Sequence, residues 1–151
     1  MSELIRTVSK QISFCYGHRL VGYPHKCRHV HGHNCVAEIT LALREGASLD
    51  AYGFVEDFNE FKVIKDWIDE NWDHAFLASP EDKSMIEFLK ADEQRYYVMQ
   101  DNPTAENMAT EIGMIAKEKL ENERVSLVGI NIWETPTSKC RVIFDDCEEQ
   151  K

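Results

Sequence analysis

The sequence lacks the long apolar runs of secreted and membrane-spanning proteins. Its first residues, MSELIRTVSK, contain no hydrophobic stretch of signal-peptide length, and no later segment approaches the length of a membrane span. A disulfide pattern is also missing, because the five cysteines (15, 27, 35, 140 and 147) form an odd set without regular spacing. With no secretory signal, these cysteines are expected to be reduced thiols in the cytoplasm.

Positive charge is scarce as well. The 17 Lys and Arg residues are outnumbered by 27 Asp and Glu residues, which gives a formal net charge of −10. Binding to a nucleic-acid backbone needs concentrated positive surface, so general affinity for nucleic acid is not expected. A small anionic ligand is still compatible, because His25, Lys26, Arg28 and His29 form a local basic patch; a solvated charged loop is the alternative.

No internal repeat, low-complexity tract or Pro/Gly/Ser-rich linker divides the sequence. A length of 151 residues is enough to bury one hydrophobic core and is short for two. We therefore expect a single domain over residues 1–151, without a membrane span.

The spacing of apolar residues predicts the secondary structure. Alternation indicates strands at about 12–20, 31–44, 125–134 and 139–144, with a further short strand around 53–56. A helical apolar stripe follows Asp57, which with Glu60 resembles a capping box. Ser79 is predicted to cap a short second helix, and Thr104 to cap a third over residues 105–120. This order predicts an α+β fold with a four-stranded antiparallel sheet and helices on one face.

Polar residues continue the apolar faces of three predicted strands. Alternation places His18 on the inward face of the first strand, His31 and His33 on that of the second, and Glu134 at the end of the third. A polar side chain on a buried face must be hydrogen-bonded or ligated, since burying it unsatisfied costs a few kcal/mol.

The histidines have the spacing of a metal site. His31 and His33 are separated by one strand period, so both point to one side, and Gly32 between them removes bulk. With His18 they could form a three-histidine zinc site whose fourth position stays open for water or substrate. Two alternatives remain open at this point. The histidines could be hydrogen-bonded core residues, or Cys27 could be a fourth ligand that closes the site and makes it structural.

Three other features suggest acid–base chemistry. Cys27 lies among basic residues, which favour a thiolate, although a cysteine in a basic loop can also be incidental. Asp73 next to His74 could orient an imidazole for proton transfer. Glu134 could accept two parallel hydrogen bonds from an amidine-like edge of a guanine or pterin ring, or could form a rim salt bridge with Lys139 or Arg141.

Together these stretches resemble the 6-pyruvoyl/6-carboxy-tetrahydropterin synthase family. The matching pieces, in the order of the family, are FCYGHRL, HKCRHVHGHN, YGFVEDFNEFK, NWDHAFL, NPTAEN and IWETPTS, which cover residues from roughly 10 to 144. The combination of a cysteine, an HGH motif, an Asp-His pair and a final glutamate is highly specific.

The resemblance implies a role for each matching residue. His18, His31 and His33 match the family's zinc ligands. Cys27 matches the general base that deprotonates the substrate.

The resemblance also implies which residues form a proton relay and which line a pterin-binding pocket. Asp73 and His74 match the proton-relay pair, and Glu134 matches the glutamate that anchors the pterin and takes part in the relay. Thr104 and Glu106 match the segment that lines the pterin pocket. Lys26 and Arg28, with Arg141 or Lys139, are our hypothesis for residues that hold a triphosphate.

The implied reaction starts from 7,8-dihydroneopterin triphosphate. Zn²⁺ would acidify a C–H group in the substituent of the pterin ring, the Cys27 thiolate would remove the proton, and triphosphate would leave. Queuosine-pathway 6-carboxy enzymes also release acetaldehyde, and they typically have three residues between the cysteine and HGH, where pyruvoyl synthases have five. This sequence has three, at 28–30, which favours the 6-carboxy product. A 6-pyruvoyl-tetrahydropterin synthase and a non-enzymatic zinc-binding module are the alternatives.

The family fold is the tunnelling (T) fold, in which the sheets of several subunits join into a barrel. It implies a homo-oligomer, a hexamer built from two trimers, with active sites at subunit interfaces where Cys27 and Glu134 can come from different protomers. One departure concerns residues 78–101, which make the connection before NPTAEN longer than in the shortest members. The sequence leaves the role of this insertion open.

Overall fold

The computed structural model of the protein describes residues 4–144, and these form one mixed sheet packed against helices. The strands are β1 (Thr7–His18), β2 (His31–Leu43), β3 (Ala75–Ala78), β4 (Tyr96–Val98), β5 (Val125–Thr135) and β6 (Ser138–Ile143). The α-helices are α1 (Lys62–Asn71), α2 (Lys83–Ala91) and α3 (Ala105–Leu120), and short 3-10 helices lie at Lys26–Arg28 and Phe58–Phe61. Cys147 lies outside the described residues.

The α+β class and the four predicted long strands are confirmed, but the count of four strands is wrong. The strand order is β4-β3-β1-β2-β5-β6, and β3 pairs in parallel with both β1 and β4. The sheet is therefore mixed rather than purely antiparallel. Strands β3 and β4 have only four and three residues, which is too short for an alternating pattern to stand out in the sequence.

The short strand predicted around 53–56 is also wrong. The Asp50 carboxylate accepts hydrogen bonds from the backbone N–H groups of Tyr52 and Phe54, at 2.9 Å each. Gly53 between them has φ of 89°, which a glycine adopts without strain. Aspartate bonds of this kind stabilise a turn in place of a strand ladder.

Of the three predicted helix caps, Thr104 and Asp57 are confirmed as N-caps. The Thr104 hydroxyl accepts from the N–H of Asn107 at 3.2 Å. The Asp57 carboxylate accepts from the N–H of Asn59 at 2.8 Å, at the start of the 3-10 helix that precedes α1. The Glu60 half of the capping box does not form, because the Asp57 N–H donates to Glu56 instead, at 3.1 Å. Ser79 does not cap α2. That helix begins at Lys83, and its N-cap position is Asp82.

The inward face of the sheet packs against α1 and α3 and forms the core. Fully buried members from four elements are Ile39, Ile64, Ile112 and Ile130. No helix in residues 4–144 is long and apolar enough to cross a membrane.

The pairing of β1 with β2 brings the histidine-bearing strand ends together. In this antiparallel register, His18 lies opposite His31, and Gly17 lies opposite Gly32. A Cβ atom on Gly32 would lie 2.7 Å from the backbone oxygen of Tyr16. Only glycine therefore allows the two strands to approach this closely.

Candidate metal centre and active site

His18, His31 and His33 form a compact cluster at one end of the β1–β2 pair. One ring nitrogen from each residue lies within 4.8 Å of those of the other two. The His18 Nε2 and His31 Nε2 atoms are 3.0 Å apart. The structure thus brings together the three residues that the sequence predicts as metal ligands.

Backbone carbonyl groups fix the orientation of two of these rings. Nδ1 of His18 lies 2.7 Å from the Pro103 oxygen, and Nδ1 of His31 lies 2.7 Å from the His29 oxygen. Because a carbonyl oxygen only accepts, each Nδ1 carries a hydrogen and each neutral ring has its lone pair on Nε2. Two lone pairs 3.0 Å apart repel each other unless a cation lies between them. The donor set therefore fits a bound metal ion.

Burial keeps His18 in the form that binds a metal. The residue is 2% exposed, and desolvation lowers the pKa of its imidazole. A neutral imidazole is the ligand form of histidine, so no proton has to be displaced near neutral pH.

A residue that the sequence did not single out supports this arrangement. Asn102 donates to the backbone oxygen of Val21 and accepts from its N–H, both at 3.0 Å. These two bonds fix the loop after β1 against the segment that carries the Pro103 oxygen. Such partners behind a metal ligand set its orientation and basicity.

Tyr16 is a second residue that sequence reasoning missed. Its hydroxyl donates to Glu134 Oε1 at 2.8 Å, and the same oxygen lies 4.0 Å from His18 Nε2. Burial and the Glu134 charge both raise the pKa of Tyr16, so the phenol stays protonated and continues to donate. The predicted anchor Glu134 is thus held beside the histidines.

The alternative rim salt bridge of Glu134 is not observed among the described residues. The Lys139 ammonium lies over the Trp133 ring instead, 5.1 Å from its centre. Burial raises the pKa of the Cys140 thiol, and the charges of Glu106 and Glu134 raise it further.

Thr104 and Glu106 lie at the start of α3. Thr104 is the N-cap of that helix, and Glu106 is exposed in its first turn. A negative side chain in the first turn is favoured by the helix dipole, which stabilises Glu106 at this position.

Asp73 and His74 form a hydrogen-bonded pair between α1 and β3. Asp73 Oδ2 accepts from His74 Nδ1 at 2.9 Å, and Asp73 Oδ1 accepts from the Cys15 N–H at 3.0 Å. Partial burial alone would raise the pKa of Asp73, but these hydrogen bonds outweigh it and the pKa lies below its usual range. The His74 side chain is 77% exposed, so its other ring nitrogen is accessible.

A cavity of about 650 Å³ lies beside this pair. Its lining includes His74 together with Cys15, Gly17, His33 and Asn34 of the paired strands β1 and β2. The volume is within the range of small-molecule sites.

Cys27 lies in the loop between the two histidine-bearing strands. It is half-buried within the 3-10 helix, and its backbone oxygen accepts from the Leu20 N–H at 2.8 Å. Among the described residues, its thiol is not part of the three-histidine group. The neighbouring Lys26 and Arg28 are exposed, and Arg28 lines a separate cavity of about 530 Å³.

Comparison with known proteins gives a consistent result. A family profile described as 6-pyruvoyl tetrahydropterin synthase matches residues 7–143. The 6-carboxy-5,6,7,8-tetrahydropterin synthase of Rickettsia felis is 37% identical over 131 residues, which cover 85% of this chain and 93% of that protein. The protein of the same name from Bacillus subtilis is 34% identical over 117 residues, which cover 76% and 68% of the two proteins.

Solved structures share the fold. An uncharacterized protein from Wolinella succinogenes superposes with a TM-score of 0.82 at 25% identity, over 95% of this chain and 100% of that one. The 6-pyruvoyl tetrahydropterin synthase of Caenorhabditis elegans superposes with a TM-score of 0.67 at 24% identity, over 94% and 97% of the two proteins.

Proposed function

Because the chain belongs to the 6-pyruvoyl tetrahydropterin synthase family, we propose that it is a zinc-dependent 6-carboxy-5,6,7,8-tetrahydropterin synthase. It would convert 7,8-dihydroneopterin triphosphate and one water molecule to 6-carboxytetrahydropterin, acetaldehyde and triphosphate. The observation that carries the proposal is the cluster of three histidine nitrogens within 4.8 Å, with the Tyr16–Glu134 pair beside it. Relatives of that name from several bacteria support the 6-carboxy product.

His18, His31 and His33 would hold the zinc ion. Bound there, zinc would supply Lewis acidity and make an adjacent C–H group of the substrate easier to ionise. Cys27 would act as the general base and accept that proton at Sγ.

The Asp73–His74 pair would carry a proton between substrate and solvent. His74 Nδ1 is occupied by the Asp73 carboxylate, so the second ring nitrogen is free to donate or accept. Ionised Asp73 would stabilise the imidazolium that forms when His74 takes up a proton.

Glu134 would bind the amidine-like edge of the pterin. Its carboxylate can accept parallel hydrogen bonds from a ring N–H and an amino group, as in bidentate carboxylate recognition. Thr104 and Glu106, at the start of α3, would line the pocket. Lys26 and Arg28, exposed beside Cys27, would attract the triphosphate.

The protein would act as a homo-oligomer, a hexamer of two trimers. Strand β3 covers only the last three residues of the outer edge of β1, and no described strand pairs with the outer edge of β6. Open edges of this kind are available for pairing with further copies of the protein.

Product analysis tests the proposal. The purified protein would be incubated with 7,8-dihydroneopterin triphosphate, with and without a zinc chelator, and the pterin product and acetaldehyde would be measured. We expect acetaldehyde in step with triphosphate, loss of both with the chelator, and no turnover by Cys27→Ala although its zinc stays bound. Triphosphate release without acetaldehyde would indicate the 6-pyruvoyl reaction instead.

A further inference from the structure

Arg95, in the 78–101 segment, binds the end of α1 next to the Asp73–His74 pair. Its guanidinium donates to the carbonyl oxygens of Asp69 and Glu70, both at 2.5 Å, and of Asp73, at 3.0 Å. Carbonyl groups at a helix C-terminus lack intrahelical donors and carry partial negative charge. The planar fork of an arginine presents several N–H donors in a fixed geometry and can satisfy several of them at once.

The main chain of Arg95 holds the other side of His74. The Arg95 oxygen accepts from the Phe76 N–H at 3.0 Å, so the residue contacts the backbone both before and after His74. Across from it, Cys15 donates its N–H to Asp73 and accepts from the His74 N–H at 2.8 Å. The backbone of His74 is therefore fixed by Arg95 on one side and by Cys15 on the other.

This double support coincides with an unusual backbone conformation. His74 has φ of 56°, in the left-handed region that residues with a Cβ atom disfavour. Such conformations persist only where the surrounding structure enforces them, and they concentrate at functional sites. His74 in this conformation is one of the residues that line the cavity of about 650 Å³.

The same segment contributes one wall of that cavity. Phe88 and Leu89 of α2, and Gln94 and Arg95 after it, line the cavity together with His74. The 78–101 segment therefore shapes the space beside the relay pair as well as the backbone under it.

We propose that Arg95 is a positioning residue that holds the Asp73–His74 pair in the geometry required for proton transfer. This is the role of the 78–101 segment that the sequence leaves open. The inference rests on the proposed function, because it assigns His74 a proton-carrying step there.

Arg95→Met removes the guanidinium donors and keeps most of the side chain's length. We expect kcat to fall about 10- to 100-fold, with KM and bound zinc unchanged, because small misplacements of a catalytic group have effects of this size. Arg95→Lys, which keeps the charge and one donor group, should recover part of the loss and guards against a variant that fails to fold.

Arg124→Met is the matched control. Arg124 also donates to loop carbonyl oxygens, those of Ser48 (3.2 Å) and Val55 (3.1 Å), and it lines neither the histidine cluster nor the cavity. Its loss should lower Tm by an amount similar to Arg95→Met while kcat stays at the wild-type value.

Combination with His74→Ala separates positioning from general stability. If Arg95 acts through His74, then Arg95→Met should cause no further loss of kcat once His74 is gone. The inference would be overturned if the fold-losses of kcat in Arg95→Met and His74→Ala multiplied in the double variant. An unchanged kcat in Arg95→Met alone would also overturn it.

The NMR signals of His74 provide a readout that does not depend on turnover. Its backbone amide and ring signals should shift in Arg95→Met and stay in place in Arg124→Met. Unmoved signals in Arg95→Met would overturn the inference even if the pterin reaction is confirmed. A protein that shows these shifts but does not turn over the pterin triphosphate would refute only the proposed function.

Discussion

At the scale of single residues, Tyr16 connects the histidine cluster to the predicted pterin anchor. Its ring lies against His18, with the ring centres 5.0 Å apart, and its hydroxyl donates to Glu134. A hydrogen bond to a charged group contributes about 1.5–3 kcal/mol, so its removal should be measurable.

Tyr16→Phe keeps the packing of the ring and removes this donor. We expect KM for the pterin substrate to rise about tenfold, because a hydrogen bond to the anchoring carboxylate is lost, while bound zinc is unchanged. Tyr97→Phe is a matched control, since the Tyr97 hydroxyl also donates to a carboxylate, that of Glu111. An equal rise in KM in both variants would show that Glu134 is not positioned by Tyr16.

The sequence predicted the histidines but not this tyrosine, for a physical reason. The period of a strand is local, so His18, His31 and His33 can be assigned to one face from spacing alone. A tyrosine on that face fits the apolar pattern, and its partner Glu134 lies 118 residues further along the sequence. Only the folded sheet brings the two together.

At the scale of secondary-structure elements, the close approach of β1 and β2 brings the three predicted metal ligands together. Gly32→Ala would place a Cβ atom 2.7 Å from the Tyr16 oxygen, so the strand ends would have to separate. We expect the free energy of unfolding to fall by about 1–3 kcal/mol and zinc affinity to fall with it.

Gly17, which lies opposite Gly32 in the β1–β2 pair, provides the control. A Cβ atom on Gly17 would lie 3.4 Å from the Phe76 ring, an ordinary contact, so Gly17→Ala should change stability by less than about 1 kcal/mol. Chelator competition and chemical denaturation measure the two effects. Equal stability of the two variants would contradict the account of the strand approach.

The bond between Arg19 and Asp82 fastens α2 to the strand that carries His18. The guanidinium donates to both carboxylate oxygens of Asp82, at 2.7 and 2.6 Å, and Asp82 is 3% exposed. The hydrogen bond from Arg19 lowers the pKa of Asp82. A lowered folded-state pKa stabilises the fold above the ordinary carboxyl pKa of about 4, and this stabilisation is lost as pH falls through the lowered value.

Asp82→Asn should therefore lower the free energy of unfolding by about 1–3 kcal/mol at pH 7, and the difference from wild type should shrink below pH ~4. Denaturation curves at several pH values measure it. Asp66→Asn, which removes an exposed ion pair with Lys62, is the control and should have little effect at any pH. If the difference in free energy of unfolding between Asp82→Asn and wild type persisted below pH ~4, the negative charge of Asp82 would have no role in stability.

The elements that the sequence missed depend on tertiary contacts. Strands β3 and β4 are short apolar runs held by pairing with the end of β1 and with each other. The N-cap position of α2 is Asp82, which accepts a hydrogen bond from Arg19, and not Ser79. Neither contact can be inferred from the local sequence. The Thr104 cap and α3 depend on local sequence and were predicted correctly.

At the scale of the whole molecule, the proposed oligomer predicts that active sites are shared between subunits. Inactive Cys27→Ala and Glu134→Gln proteins, unfolded and reassembled as a 1:1 mixture, should regain activity. If each site takes the two residues from different subunits, about a quarter of the sites contain both intact residues. Each variant reassembled alone is the control, and a mixture as inactive as the separate proteins would show that both residues come from one subunit.

The coordination of the metal tests the central claim most directly. X-ray absorption at the zinc edge of the substrate-free protein should show three nitrogen ligands and one oxygen at about 2.0–2.1 Å, because the three histidines leave an exchangeable position. A sulfur ligand at about 2.3 Å would place Cys27 on the metal, close the site and contradict the catalytic account.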